Sequence, residues 1–288
     1  GDGTPVVTSH RERKKRICDC KEKGITDCDC NRYYSQPDCD IGWDSSRDCF
    51  YHGYDLYMLV DSQSDLPVFP HFSCASKHDS HGFLHAFFRM KAFLPDYKVS
   101  KVILDSAHDA MPYYQYFKRK NIIPFIDLNG KGGRPPVYKN DFTIDKDGVP
   151  ICPAGYRMRR DGIEVAKGRM KFKCPKMNKE NGCLSCTCET PCSDAKYGRT
   201  VHLVLKDNPR LFNNPPRSSK EWKLEYNART SVERSNKREK IDFKLESGRH
   251  RSTKMWYCRL YHILMLQHLD AWDLPNESAL RKLIQQTA

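Results

Sequence analysis

The pattern Tyr226-x2-Arg229-x3-Glu233-x6-Lys240 sets one carboxylate among an aromatic ring and two cations. On an ideal helix at about 100° per residue, with Tyr226 at zero, Arg229 falls at roughly 300°, Glu233 at roughly 340° and Lys240 at roughly 320°. All four then share one narrow face. A carboxylate there can ligate a metal ion while the cations grip phosphates. The same spacing also suits an ordinary solvated salt-bridge face. Two other carboxylates stand in informative contexts. Asp105 ends the apolar run Val102-Ile103-Leu104, and Asp2 lies in the turn-like Gly1-Asp2-Gly3-Thr4-Pro5. The competing role for Asp105 is an N-cap, which Ser106 or Asp109 could fill equally well.

These residues need elements to hold them. An amphipathic helix is expected from about residue 221 to 238, and a second from about 253 to 272. Residues 54–61 and 66–72 are rich in strand formers and joined by a short polar turn, which predicts an antiparallel hairpin. Pro67 and Pro70 favour an edge position for its second strand. Residues 80–93 carry Phe83, Leu84, Phe87, Phe88 and Phe93 at helical spacing. A strand at 102–104, a helix at 109–120 and a strand at 122–126 follow, so the rhythm is α/β. Glycines and prolines crowd 129–136, and 137–218 loses that rhythm, with strand-like pieces at 137–138 and 201–205. Asp61 reads as a hairpin-turn residue, Asp79 as a helix-start residue and Asp127 as a reserve carboxylate.

Composition narrows the function classes. The chain has 288 residues, 49 Lys+Arg against 36 Asp+Glu, and a formal net charge of +13. That excess points to a polyanionic partner, nucleic acid first. Ten Lys or Arg against four Asp or Glu lie in 229–259, which would supply salt-sensitive phosphate contacts. At 11% aromatic the chain is not a disordered one. Its most apolar stretch, Leu260 to Trp272, is broken by Gln267, His268 and Asp270, so no spanning helix is expected. The 14 cysteines cluster at short spacings without a secretory leader, which favours metal ligands or reduced thiols over disulfides.

This combination resembles the DDE transposases of bacterial insertion sequences, and within them the group whose third-acid helix carries Tyr-x2-Arg-x3-Glu-x6-Lys. Asp2-Gly3-Thr4 matches the context of the family's first acid. Leu104-Asp105-Ser106-Ala107-His108-Asp109 matches that of its second. His52-Gly53-Tyr54-Asp55-Leu56 with Val60-Asp61 is similar to its second strand, and Ala75-Ser76-Lys77-His78-Asp79-Ser80 resembles the segment after its third. The likeness covers nearly the whole chain, and the cysteine-rich parts are the least typical.

The resemblance implies a ribonuclease-H-like α/β fold: a mixed five-stranded sheet with flanking helices. A cysteine-containing, partly β insertion would lie between strand five and the acidic helix. The expected segments are 1–129 for the first part of the catalytic domain, with a cysteine-rich excursion at 7–50. The insertion would span 130–220, the C-terminal helices 221–275 and a tail 276–288. Strand one would end at Asp2 and so lie before Gly1, which makes the chain read as N-terminally truncated and poorly active by itself.

The resemblance also implies Asp2, Asp105 and Glu233 as catalytic ligands of two Mg²⁺ or Mn²⁺ ions. Tyr226, Arg229, Lys240, Arg234 and Lys237 would be the DNA-binding residues. The expected reaction is strand cleavage and strand transfer at insertion-sequence ends, by a homodimer or larger assembly on DNA in the bacterial cytoplasm, at the nucleoid. The alternatives are a non-catalytic zinc-containing DNA-binding protein and an inactive transposase remnant.

Cys174-x8-Cys183-x2-Cys186-x-Cys188-x3-Cys192 has zinc-like spacing. Cys174, Cys183, Cys186 and Cys192 are the expected structural Zn²⁺ ligands, with Cys188 or Cys152 as alternates and reduced thiols as the competing reading. Cys18-x-Cys20 with Cys28-x-Cys30 is the weaker pattern, since no standard ligand set stands out.

Overall fold

The computed structural model describes residues 1–287 apart from 10–11, 31, 37, 131–141, 146, 181–182 and 190, and side chains outside 10–15, 31–34, 37, 131–141, 146, 179–185, 190 and 273–288. In chain order, β1 (Asp2–Val7), β2 (Glu12–Arg16), β3 (Arg32–Tyr34), β4 (Asp40–Asp44), β5 (Cys49–Val60) and β6 (Pro67–Cys74) precede α1 (Asp79–Phe93). Next come β7 (Lys101–Leu104), α2 (Met111–Arg119) and β8 (Ile123–Ile126). A run of short strands follows: β9 (Thr143–Ile144), β10 (Pro150–Ile151), β11 (Arg159–Glu164), β12 (Arg169–Lys173), β13 (Met177–Glu180), β14 (Cys183–Cys186) and β15 (Thr200–Val204). The chain closes with α3 (Lys220–Asn227), α4 (Thr230–Lys237) and α5 (Thr253–Thr287). Two compact units result: Gly1–Lys98 with Ala228–Ala288, and Val99–Asn227.

In the first unit, β5 is the central strand. β1 pairs antiparallel with one edge of it, from Asp2↔Met58 to Val7↔Gly53. β6 and β4 share the other edge, also antiparallel. The predicted hairpin is β5–β6. β6 pairs only with β5 among the described strands, as its prolines require. Helices pack on both faces of β5, and Tyr51 to Leu59 are all buried. Side chains alternate across it. Tyr54, Leu56 and Met58 join Val6, Phe72, Val232, Trp256, Leu260 and Ile263 in one core on the side of α4 and α5. Tyr57 points the other way, its ring 6.0 Å from Phe83 of α1. Each fully buried apolar side chain contributes about 1.5–3 kcal/mol to such a core. Phe83 and Phe87 of α1 are buried, whereas Leu84, Phe88 and Phe93 are exposed.

Three expectations need correction. Asp2 does not end a strand; it opens β1, whose Thr4, Val6 and Val7 are β-branched and whose Val6 is fully buried. The helix expected over 221–238 is broken. Ala228 O accepts both the N–H and the hydroxyl of Ser231, at 3.1 and 2.8 Å. Those bonds tighten the chain and separate α3 from α4. After α4 the backbone widens into a π-helical turn over Arg238–Asp242, which shifts Lys240 off the ideal register. The last helix starts where expected but runs on to Thr287, through the expected tail.

In the second unit, β7 and β8 pair in parallel, from Lys101↔Ile123 to Leu104↔Ile126. The connection passes through α2, the βαβ unit that the sequence rhythm predicts. Among the described residues these strands form a sheet of their own, separate from the four-stranded one. The architecture is mixed α/β. The insertion is β-rich: β11, β12 and β15 form a three-stranded antiparallel sheet over a core that includes Ile144, Met170, Phe172, Val201 and Leu203. The expected strand at 201–205 is β15. The one expected at 137–138 lies outside the described residues.

Two predictions follow from this packing. A Cβ on Gly53 would collide with the carbonyl oxygen of Val6. Gly53→Ala should therefore destabilise the protein by about 3 kcal/mol in urea denaturation, with hydrogen exchange rising first at Thr4 to Val7. Glu239, fully buried in the π-helical turn, accepts the Ser235 hydroxyl at 3.2 Å. Burial pushes its carboxyl up to about 7, against the smaller lowering pull of Ser235 and Gln267. A carboxyl raised by folding stabilises the protein while protonated, fully so below its unfolded value, and that stability is lost as pH rises through about 7. Between pH 4 and 8 the wild type should lose about 3 kcal/mol relative to Glu239→Gln, read from denaturation midpoints across that range.

Candidate active site

The first unit gathers acidic side chains at the open end of β1. Asp2 and Asp79 offer carboxylate oxygens within 4.8 Å of each other. Behind them, Asp55 on β5 is buried, and its Oδ2 has no hydrogen-bond partner among the described residues. Burial, then the charges of Asp79 and Asp2, push the Asp55 carboxyl up to about 8. Gly3 makes this crowding possible. A Cβ there would sit 2.7 Å from Asp79 Oδ1 and 3.1 Å from Asp55 Oδ1, so the Asp-Gly-Thr glycine is a space requirement.

Across from β1, α4 supplies a counter-charge and a further acid. The Arg229 guanidinium spans two carboxylates, donating to Asp2 Oδ2 at 3.3 Å and to Glu233 Oε1 at 2.5 Å. Glu233 is half exposed on the wall of a cleft of about 570 Å³ that Asp2, Asp79, Lys237 and Lys240 also line. The donor set fits a hard divalent cation. It consists of carboxylate oxygens, one of them buried without a partner, and one guanidinium cannot neutralise them all.

The other sequence-predicted residues fall differently. Lys240 donates to Pro5 O at 2.7 Å and pairs with Glu246 at 3.2 Å. Glu246 in turn accepts from Val7 N at 3.0 Å. Lys240 therefore ties β1 to the segment after α4. Arg234 forms a two-pronged pair with Asp65, both bonds 2.7 Å. Lys237 is exposed on the cleft wall. Tyr226 belongs to α3, in the second unit, and stacks on Trp222 with ring centroids 4.6 Å apart.

Asp105 also belongs to the second unit. It follows β7 and caps a 3₁₀ turn, its Oδ1 accepting from Ala107 N at 3.2 Å and from His108 Nδ1 at 2.6 Å. The cap role weighed from the sequence is thus filled by Asp105 itself. Its side chain is 30% exposed. Asp109 is the opposite case. It is fully buried, doubly bonded by Arg210, and it accepts from Tyr114 OH and from Asn129 N. Of the two aspartates in the motif, Asp109 is fully buried and Asp105 stays partly exposed.

Sequence reasoning missed Asp55 and Asp79. A carboxylate in the first turn of α1 reads as a dipole partner, and one within β5 carries no distinguishing pattern. The cysteines also fall out differently. Cys174, Cys186 and Cys192 line a pocket of about 220 Å³. Among the described residues, though, they form no set of ligand atoms within 4.8 Å of one another. The side chain of Cys183 lies outside the described residues. The set that does come together is Cys18, Cys20, Cys28 and Cys30.

The sequence model of the family described as "Transposase DDE domain" matches residues 2–267. The chain belongs to that family, the DDE transposases of insertion sequences. No curated protein and no solved structure matches it. Among the described residues no helix is long and apolar enough to cross a membrane.

Removing one member of a buried ion pair leaves the other uncompensated. Asp109→Ala should cost about 3–5 kcal/mol of stability in urea denaturation, whereas Asp105→Asn should cost less than about 1 kcal/mol.

Proposed function

We propose that the protein cleaves DNA strands at the ends of an insertion sequence and transfers the freed ends to target DNA. Asp2, Asp105 and Glu233 would be the carboxylates that hold two Mg²⁺ or Mn²⁺ ions, with Asp79 beside Asp2 as an additional acid. The observation that carries the reading is the Arg229 bridge between Asp2 and Glu233 at the mouth of the cleft, in a chain whose family is defined by this chemistry. The finer fold assignment, a ribonuclease-H-like five-stranded arrangement, takes β1, β5 and β6 as strands one to three and β7 and β8 as strands four and five.

When bound, the ions would supply charge to the attacking and departing oxygens of an in-line phosphoryl displacement. The chain's own residues do the rest. Gly3 leaves room for the acids to crowd. Arg229 holds Asp2 and Glu233 in register. Lys240 fixes β1 through Pro5 O, and exposed Lys237 offers a phosphate contact on the cleft wall. In the first step the oxygen of water would attack the phosphorus at the element end, and the bond to the departing 3′-oxygen would break, leaving a 3′-hydroxyl. In the second step that hydroxyl would attack a phosphorus of target DNA, the bond from that phosphorus to its own 3′-oxygen would break, and the target strand would be left with a free 3′-hydroxyl. Tyr226 and Arg234, whose rings and forks are engaged in packing and pairing, would steady the elements that face DNA. Assembly as a homodimer or larger around paired ends, in the cytoplasm at the nucleoid, belongs to the same reading.

The test is strand cleavage of element-end DNA with Mg²⁺. Glu233→Gln should lower the rate by about 10²–10³-fold while its denaturation midpoint stays at the wild-type value. Cleavage at wild-type rate by this variant would sink the assignment.

A further inference from the structure

The hairpin of β2 and β3 carries a feature that the catalytic reading does not use. Cys18-x-Cys20 follows β2, and Cys28-x-Cys30 precedes β3. The strands pair antiparallel, from Glu12↔Tyr34 to Arg16↔Arg32, so the two Cys-x-Cys arms are brought face to face. The chain bends and turns after β2 and returns to β3, which brings Cys18 beside Cys28 and Cys20 beside Cys30.

The sulfur geometry is informative. Cys18 Sγ lies 3.8 Å from Cys28 Sγ, and Cys20 Sγ lies 3.8 Å from Cys30 Sγ. All four sulfurs lie within 4.8 Å of one another. A tetrahedron of sulfurs about 2.3 Å from a central zinc ion has edges of about 3.8 Å. A disulfide would need about 2.05 Å. We propose that Cys18, Cys20, Cys28 and Cys30 form a closed structural site for Zn²⁺, distinct from the carboxylate cleft and from the cysteines at 174–192.

The surroundings suit that role. The segment from Ile17 to Cys30 has no apolar core of its own, since Ile17 and Ile25 are 55% and 48% exposed. What shapes it is backbone bonding. Ile25 N donates to Cys20 O at 2.8 Å, Lys23 N to Asp19 O at 3.1 Å, and Gly24 N to Lys21 O at 3.2 Å. Gly24 takes the left-handed φ of +76° that this turn needs. Arg16 Nη1 donates to Cys30 O at 2.9 Å, fixing one arm. A loop with so little burial needs a staple, and soft thiolates select zinc where the hard carboxylates of the cleft select magnesium. Four protein ligands leave no open position, so the site is structural.

The experiment is metal analysis of the full chain after dialysis against metal-free buffer, with cobalt(II) substitution as a second readout. Wild type should hold about one zinc ion per chain, and its cobalt form should show the intense visible bands of a tetrahedral tetrathiolate. The double variant Cys18→Ser/Cys28→Ser should lose both, while Cys174→Ser/Cys186→Ser should keep both. If the first variant does not fold, the cobalt spectrum of the second decides alone. Three results would overturn the proposal: wild type with under about a tenth of an equivalent, zinc lost only from the Cys174→Ser/Cys186→Ser variant, or disulfides found by mass spectrometry between Cys18 and Cys28 or Cys20 and Cys30.

Discussion

The pairing of β1 with the central strand β5 is the constraint on which the first unit depends. It places Asp2 opposite Met58 and Gly3 opposite Tyr57, so neighbouring residues of one strand face opposite layers. Asp2 turns toward α4, where Arg229 holds it. Gly3 turns toward the other face, where the missing side chain lets Asp55 and Asp79 approach. A one-residue slip in this ladder would exchange those faces and dismantle the acid cluster. The close approach of Gly53 to Val6 and the anchoring of Pro5 by Lys240 both oppose that slip.

Charge in this protein is arranged by burial more than by net excess. Several cations are committed to partners within the chain. Arg210 serves Asp109, and buried Arg217 serves Ile126 O, Arg210 O and Tyr114 OH. Arg234 serves Asp65, and Lys240 serves β1. The surplus on the cleft wall is correspondingly local. The crowded acids, with the Asp55 carboxyl pushed up by burial and by the charges of Asp79 and Asp2, leave that corner ready for an added positive charge.

Much of the scaffold was legible from pattern. The β5–β6 hairpin, the helix α1 and the β7–α2–β8 unit all follow from hydrophobic periodicity and turn chemistry, although Leu84, Phe88 and Phe93 of α1 are exposed. The break between α3 and α4 was not, because apolar spacing runs through it unbroken and the cause is local: the Ser231 hydroxyl competing for Ala228 O. In the site, Glu233 and Arg229 stood out by spacing and Asp2 by its turn-like context, and Arg229 bonds both carboxylates. Asp79 and Asp55 were not, since only the register of β1 makes them neighbours of Asp2. The sulfurs of Cys18, Cys20, Cys28 and Cys30 were hidden for a similar reason. Their spacing fits no familiar ligand pattern, and it is the antiparallel hairpin that folds them together.

The Asp2–Arg229–Glu233 bridge joins groups separated by 227 positions between Asp2 and Arg229, and Lys240 reaches back 235 positions to Pro5. During synthesis the first acid therefore leaves the ribosome long before the residues that hold it. At about 5–20 residues per second the interval is on the order of 10–50 s. Throughout that time β1 lacks its C-terminal clamp, and the acid cluster lacks its guanidinium. An unfinished or prematurely terminated chain is thus a chain without an assembled cleft. The fold itself delays assembly of the cleft until translation has passed the π-helical turn.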